Sequence, residues 1–461
     1  MERVHCTTNE ATTNKVKGTE ISGCVLFAYA YIFAMQDADK EEFTMRMMLV
    51  GAGAVGESIL KILKVRDGEK KWLDFVLVCD YDEKRAAEVA SALGDSERFA
   101  SHRVNATDTA EMAELIRQYK IDFVMDAAPP FASNKIFDAA YETGVDYGSM
   151  GTWSVPMDNP KFGLGIENSY TEPMTKYNFD RHDMWREKGN MAVICLGIDP
   201  GVVNVFAKYA ALHLFDEIRE IHVKDGGNLE IPSADPDDIT FGFNVWTVLD
   251  EVMNPNVEYD ESRGGFIVED AFAGEEVFDM PDGVGRNRLV KVEHEEVVTM
   301  PRYLKEYGLK RCTFKISLDE NLITALKVIN KLGLRSIHPV DVGGVKVVPR
   351  DVVAACAPQP KDIGNEMTGE MLVGIHCIGV KDGCEKEYFI YQPFDNQKSM
   401  QDWGSQAVVA QTGFGAALAI ELIGKGIWRD KGVFSPEYFD PDPYISLMEE
   451  SGFEYGIEEI K

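Results

Sequence analysis

The sequence predicts an α/β protein: a Rossmann-type, doubly wound parallel sheet joined to an α+β domain with a mixed, largely antiparallel sheet. Three observations carry that expectation. Short apolar runs alternate with helical patterns over residues 45–148, as in a parallel sheet with helical crossovers. The turn Gly51-Ala52-Gly53-Ala54-Val55-Gly56 follows the first run directly and opens a helix. After residues 191–196 the apolar spacing changes to period two, the alternation of strands with one buried face.

Taken in order, residues 46–50 form the first strand and residues 57–64, with Ile59, Leu60 and Leu63 at helical spacing, the first helix. A charged break over 66–71 separates them from a second buried strand, 75–79, closed by Asp80. Helix 84–93, strand 121–127, helix 134–143 and a strand starting at Val145 continue the alternation. Period-two runs then occur at 220–224, 312–317, 374–380 and 387–391. An Ala-rich apolar helix covers 404–424, followed by turns rich in Pro, Asp and aromatic residues. The expected division is a non-core extension 1–44, a dinucleotide-binding domain 45–200, a substrate and dimerisation domain 201–395, and a C-terminal segment 396–461 returning to the first domain.

A chain of 461 residues exceeds one ordinary core. Its 47 Lys and Arg against 77 Asp and Glu give a net charge of −30, which repels phosphate backbones and anionic lipid and argues against nucleic-acid and membrane partners. The eight cysteines form no C-x-x-C pair, so neither a zinc site nor a disulfide framework is indicated. Reduced thiols fit a cytoplasmic protein. The apolar stretch 21–35 is too short to span a bilayer. Its upstream flank carries three acids against three bases, so the positive flank of a signal peptide is missing. It is expected to be a dispensable extension, with an interface helix as the alternative.

The glycine turn carries the chemistry. Gly51 permits the tight turn, Gly53 lets the backbone approach a pyrophosphate, and Gly56 allows close helix–strand packing. The helix N-terminus, with Ala54 and Val55, offers N–H groups to the anion. Asp80, ending the second strand, suits both hydroxyls of an adenosine ribose and opposes a 2′-phosphate. NAD is therefore expected, with NADP left open by Lys84 and Arg85 one turn on. Asp80 as a helix N-cap is the structural alternative. Ala127, Ala128 and Pro129 end a strand on the carboxyl edge beside the expected nicotinamide ribose, and Thr107 and Asp108 border the adenine. Each has an ordinary strand-end turn as its alternative.

No Y-x-x-x-K and no H-E-x-x-H occurs, and no metal site is expected. His294-Glu295-Glu296 and His376-Cys377 stand isolated and read as surface or packing histidines. Composition and motifs by themselves leave the reaction class open.

The segment Gly197-Ile198-Asp199-Pro200-Gly201-Val202-Val203-Asn204 resembles the G-x-D-P-G signature of saccharopine dehydrogenase-like enzymes. Asp225-Gly226-Gly227, Phe241-Gly242-Phe243-Asn244-Val245-Trp246, Gly404-Ser405-Gln406-Ala407 and Gly432-Val433-Phe434-Ser435-Pro436-Glu437 are similar to further segments of that family. Phe439-Asp440-Pro441-Asp442-Pro443 is similar to its carboxynorspermidine branch. The resemblance implies an inserted catalytic and dimerisation domain, a homodimer, and hydride exchange at a carbon bearing nitrogen. The substrate would be a lysine-derived amino acid, as for saccharopine dehydrogenase or lysine 6-dehydrogenase, or a carboxylated polyamine. A catalytically silent NAD-binding protein is the alternative of another class. The chain departs from the saccharopine-forming pattern in lacking an Arg after Trp246, where Thr247-Val248-Leu249 follows. Arg286, Arg288 and Arg302 are the nearest replacements.

Asp199 is the expected proton shuttle for the substrate nitrogen, with capping of the following helix as a rival role. Gly151 and Thr152 are expected to cover the nicotinamide. Asn204 and Trp246 are expected to line the substrate pocket.

Overall fold

The computed structural model describes residues 44–153, 156–157, 170–171, 174–232, 239, 245–357 and 365–460. The N-terminal extension and residues 241–244 lie outside the described residues, as does the side chain of Trp246.

Seven strands build the first sheet: β1 (Met45–Val50), β2 (Leu73–Asp80), β3 (Phe99–Arg103), β4 (Phe123–Asp126), β5 (Asp146–Ser149), β8 (Met191–Val193) and β19 (Gly432–Phe434). Their order is β3-β2-β1-β4-β5-β8-β19, and every pairing is parallel. This is the Rossmann order, with the reversal between β1 and β4 that opens a crevice at the carboxyl edge. A two-residue ladder, β6 (Pro156–Met157) with β7 (Tyr170–Thr171), lies in the connection to β8.

The second sheet contains β9 (Glu217–Gly227), β10 (Asn256–Asp260), β11 (Gly265–Glu269), β12 (Glu275–Met280), β13 (Gly285–Lys291), β14 (Arg311–Ser317), β17 (Glu370–Lys381), β18 (Cys384–Asp395) and β20 (Gly456–Glu459). Only β9 with β14 is parallel; the other pairings are antiparallel. The mixed, largely antiparallel sheet is therefore as expected. Asp382 and Gly383, both at positive φ (51° and 75°), turn β17 into β18, the backbone form that two-residue hairpin loops favour. A separate hairpin, β15 (Val340–Val342) with β16 (Val345–Val347), projects between β14 and β17.

The helix Ala407–Gly424 ties the two parts together. Its residues are almost all buried, which explains the lack of an amphipathic stripe. Although long and apolar enough for a membrane span, it is 94% buried inside the protein. It packs on the helix Ala54–Arg66 and contacts β17 and β18. Arg66 and Glu421 form an ion pair across the helix contact. The C-terminal segment was expected to return to the nucleotide domain, and β19 lies in that domain's sheet. The segment is shared: β20 pairs with β18 in the second sheet.

Candidate active site

The glycine turn sits between β1 and the helix Ala54–Arg66 and shows a division of labour. Gly51 has φ +104°, and a Cβ there would lie 2.4 Å from the Ala127 carbonyl oxygen. A Cβ on Gly56 would lie 2.1 Å from the Gly51 carbonyl oxygen. Both glycines are demanded by packing. Gly53 differs: nothing lies within 4 Å of where its Cβ would point. It is also the N-cap, with no side chain capping the helix, so the first-turn N–H groups face an open cradle suited to an anion. Gly53 and Ala54 are exposed, and Val55 packs partly against the core.

Asp80 closes the turn from β2. Its Oδ2 accepts from Ala52 N at 2.8 Å and its Oδ1 from Asp82 N at 2.9 Å. The helix Glu83–Ala92 is capped by Asp82, not Asp80. Each Asp80 oxygen keeps a lone pair for a ribose hydroxyl. Arg85 is engaged with the Ala52 carbonyl at 2.8 Å and with Glu57 at 2.6 Å, whereas Lys84 is exposed. Ala127 N donates to Val50 O at 2.8 Å, Ala128 N to Asp126 Oδ1 at 3.0 Å, and Pro129 caps the helix Pro130–Thr143. The fold thus gathers the glycine turn, Asp80 and Ala127-Ala128-Pro129 at the switch point. Asp108 is occupied, capping the helix Thr109–Tyr119 through Ala110 N and Glu111 N. Thr107 bonds Asn105. Both are exposed beyond the end of β3.

Asp199 lies on the turn that follows β8. Gly197 N donates to Pro200 O at 2.7 Å, and Gly201, at φ +147°, has no room for a Cβ, which would meet the Gly197 carbonyl oxygen at 2.0 Å. The helix Val202–Tyr209 takes Gly201, not Asp199, as its N-cap. Asn204 accepts from Gly201 N at 2.8 Å and donates to Thr299 Oγ at 3.0 Å while fully buried. That corrects the expectation that Asn204 lines the pocket: its amide is committed to holding the turn.

Asp199 Oδ2 is buried without a hydrogen-bond partner. Burial, reinforced by Asp225, raises its carboxyl well above the usual range, against the opposing pull of His294. Asp225, near the end of β9, also has a buried, unpartnered Oδ1, and burial pushes its carboxyl up to about 7. His294 stacks on Phe314 with ring centroids 3.8 Å apart. Its Nδ1 lies 2.5 Å from Glu296 Oε2, and Glu251 and Glu295 each approach to 3.8 Å. Burial would lower the imidazole pKa, but Glu296 and its neighbours outweigh it and hold the ring protonated well above its ordinary range. Glu296 Oε1 is buried and unpartnered. Glu295 reaches across to the other domain and accepts from Thr152 N at 2.7 Å and Thr152 Oγ at 3.2 Å, beside Gly151.

Sequence reasoning missed most of this group. His294 is a packing histidine, but the expectation that it stands isolated is overturned by its carboxylate neighbours. Their contacts join β9, the corner before the helix Glu296–Leu304, the helix Val245–Met253 and the turn at Asp199, which no spacing along the chain encodes. One signal was present: Asp225 precedes two glycines at a strand end. The donor atoms of His294, Glu295 and Glu296 lie within 4.8 Å of one another. Bonds among themselves and to Thr152 already occupy much of that set. Arg286 and Arg288 sit at exposed positions of β13 and pair with Asp279, Glu275 and Glu320. Arg302 lies over the Phe179 ring. His376 bonds Glu387 at 2.6 Å and faces His222.

Five carboxyl groups, Asp199, Asp225, Glu251, Glu295 and Glu296, therefore surround one imidazolium. They cannot all ionise in a low-dielectric cleft. Three carboxylate oxygens without donors mark a place for a cationic or proton-donating ligand. A Rossmann sheet with an open phosphate cradle, joined to acid–base groups, defines a nicotinamide-dependent oxidoreductase.

The comparisons with known proteins agree. The saccharopine dehydrogenase NADP binding domain family matches residues 47–193, and the saccharopine dehydrogenase C-terminal domain family matches residues 197–453. The chain belongs to the saccharopine dehydrogenase family and is an NAD(P)-dependent oxidoreductase acting at C–N bonds. It is 28% identical over 410 residues to carboxyaminopropylagmatine dehydrogenase of Synechocystis sp., covering 88% of this chain and 96% of the relative. It is 30% identical over 369 residues to carboxynorspermidine synthase of Vibrio cholerae, covering 79% and 84%. The apo saccharopine dehydrogenase (L-Glu forming) of Saccharomyces cerevisiae shares the fold, with a TM-score of 0.63 at 13% identity over 90% of this chain and all of the other.

Proposed function

We propose that this enzyme interconverts an imine and a secondary amine in a carboxylated polyamine, the branch to which its carboxyaminopropylagmatine and carboxynorspermidine relatives point. The observation that carries the reading is the group of buried carboxylate oxygens without donors on Asp199, Asp225 and Glu296. A saccharopine-type substrate carries three carboxylates and would meet like charge there. A polyamine supplies ammonium or guanidinium donors.

A nicotinamide dinucleotide held by the glycine turn and Asp80 supplies or accepts the hydride. Asp199 gives its proton to the substrate nitrogen in the amine-forming direction and takes it back in reverse. Asp225 and Glu296 anchor a neighbouring ammonium, and His294 holds the Glu296 side chain in place through its Nδ1. Glu295 holds the loop at Gly151 and Thr152 against the second domain. NAD is favoured over NADP because Arg85 is engaged and Asp80 would oppose a 2′-phosphate. A cytoplasmic homodimer completes the reading.

The test is a turnover panel of carboxynorspermidine, carboxyaminopropylagmatine, saccharopine and lysine, each with both dinucleotides. A carboxylated polyamine should give the highest kcat/KM. Preference for saccharopine or lysine would restore the amino-acid reading. Dinucleotide binding without turnover on any amine would favour the silent one.

A further inference from the structure

Asp126, the last residue of β4, is a buried carboxyl group that takes no part in the proton and hydride steps above. It is 2% exposed. Its Oδ1 accepts from Ala128 N at 3.0 Å and its Oδ2 from the Tyr147 hydroxyl at 2.9 Å, with Ser133 as a further donor. All three donors are neutral, and among the described residues no Lys, Arg or His pairs with it. Burial pushes the carboxyl up to about 6 against the pull of those donors. Above that pH it carries a negative charge with no cation beside it, and a positive group arriving nearby is favoured.

Its place in the sheet says which group that is. Asp126 stands opposite Val50 of β1, the residue before the glycine turn, and opposite Ser149 of β5, two residues before Gly151. Ala127 follows directly, with its carbonyl oxygen 2.4 Å from where a Gly51 Cβ would lie. The carboxylate is thus set into the crevice at the switch point, between the glycine turn and the Gly151–Thr152 loop, where this strand order places a dinucleotide. An oxidised nicotinamide ring carries a positive charge and a reduced one carries none. Buried charges are weakly screened, and at ~10 Å with an effective dielectric constant of ~20 a unit charge changes an equilibrium constant about tenfold. We propose that Asp126 sets the preference of the site for the oxidised over the reduced dinucleotide through its charge. The inference rests on the dinucleotide site at the glycine turn and adds to it a discrimination between redox states.

The titratable neighbours are Tyr147 on β5 and, behind it, Cys195 after β8. Burial raises both well above their ordinary values, so they stay uncharged near neutral pH. From β1 and the helix Pro130–Thr143, Val50 and Ser133 do not titrate. The acid group around His294 is left intact in both variants below, so their differences from wild type report Asp126.

Isothermal titration of the full chain with NAD and NADH, and with NADP and NADPH, tests the proposal through the ratio of the oxidised to the reduced Kd. In wild type that ratio should rise as pH falls through about 6. Asp126→Asn keeps both contacts, since its amide oxygen accepts from Ala128 N and its amide nitrogen donates to the Tyr147 oxygen. It should raise the ratio at neutral pH about three- to tenfold and flatten its pH dependence. Tyr147→Phe removes a donor to the ionised form and should move the midpoint to higher pH. A ratio unchanged in Asp126→Asn overturns the proposal, as does a midpoint that Tyr147→Phe leaves in place. Weakening of both redox forms by the same factor also overturns it and makes Asp126 a structural support of the turn. A wild type that binds neither form overturns the dinucleotide site itself, so the two failures are distinct.

Discussion

Asp199 approaches the cleft from a turn that leaves it little freedom, with Gly197 bonded to Pro200 and Gly201 packed against Gly197. Its carboxyl has no partner on Oδ2 and is held well above the ordinary range, first by burial and then by Asp225. A carboxyl in that state holds its proton to higher pH than a free carboxyl group does, the property a proton donor needs. In the amine-forming direction turnover should fall as pH rises through its pKa, and in the oxidative direction it should rise. The linkage sign agrees: an acid whose folded pKa is raised contributes stability at low pH that is lost as pH climbs past the folded value. Asp199→Asn removes both effects. Turnover should drop about 10²–10⁴-fold, while the melting temperature at neutral pH holds or rises. Since Gly201 is the cap, no loss of helix stability is expected. A sharp fall in melting with normal turnover of the folded fraction would return Asp199 to a structural role.

The glycine turn was legible from the sequence because its function is local: a strand, three glycines at fixed spacing and a helix lie within twenty-odd residues. The structure adds which glycine packing leaves open: nothing lies within 4 Å of where a Gly53 Cβ would point. Gly53→Val places a side chain in open space at an allowed backbone angle, so melting should hold while dinucleotide affinity falls by about tenfold or more. Gly51→Ala is strained at φ +104° and collides with Ala127, so it should cost on the order of 1–3 kcal/mol of stability. Calorimetric melting with dinucleotide titration separates the two. Equal loss of stability in both variants would deny Gly53 its open cradle. The period-two runs likewise announced β9, β14, β17 and β18, because alternation is written residue by residue. The acid group was not legible. Asp225, Glu251, His294 and Asp199 meet only once the second sheet has closed on the first, and an isolated His-Glu-Glu reads the same on a surface as in a cleft.

Across the whole molecule the chain leaves the nucleotide sheet after β8, builds the second sheet, and returns through the buried helix Ala407–Gly424 to lay down β19 and then β20. Both sheets therefore depend on the C-terminal segment, and the buried acid group joins the two parts where Glu295 meets Thr152. The measurement that bears most directly on this account is the ratio of kcat/KM for carboxynorspermidine to that for saccharopine, in wild type and in Asp225→Asn. Asparagine keeps the shape and removes the charge that would anchor an ammonium. Wild type should prefer the polyamine, and the variant should lose about tenfold or more of that preference with dinucleotide affinity unchanged. A wild-type preference for saccharopine, or a ratio that Asp225→Asn leaves untouched, would contradict it.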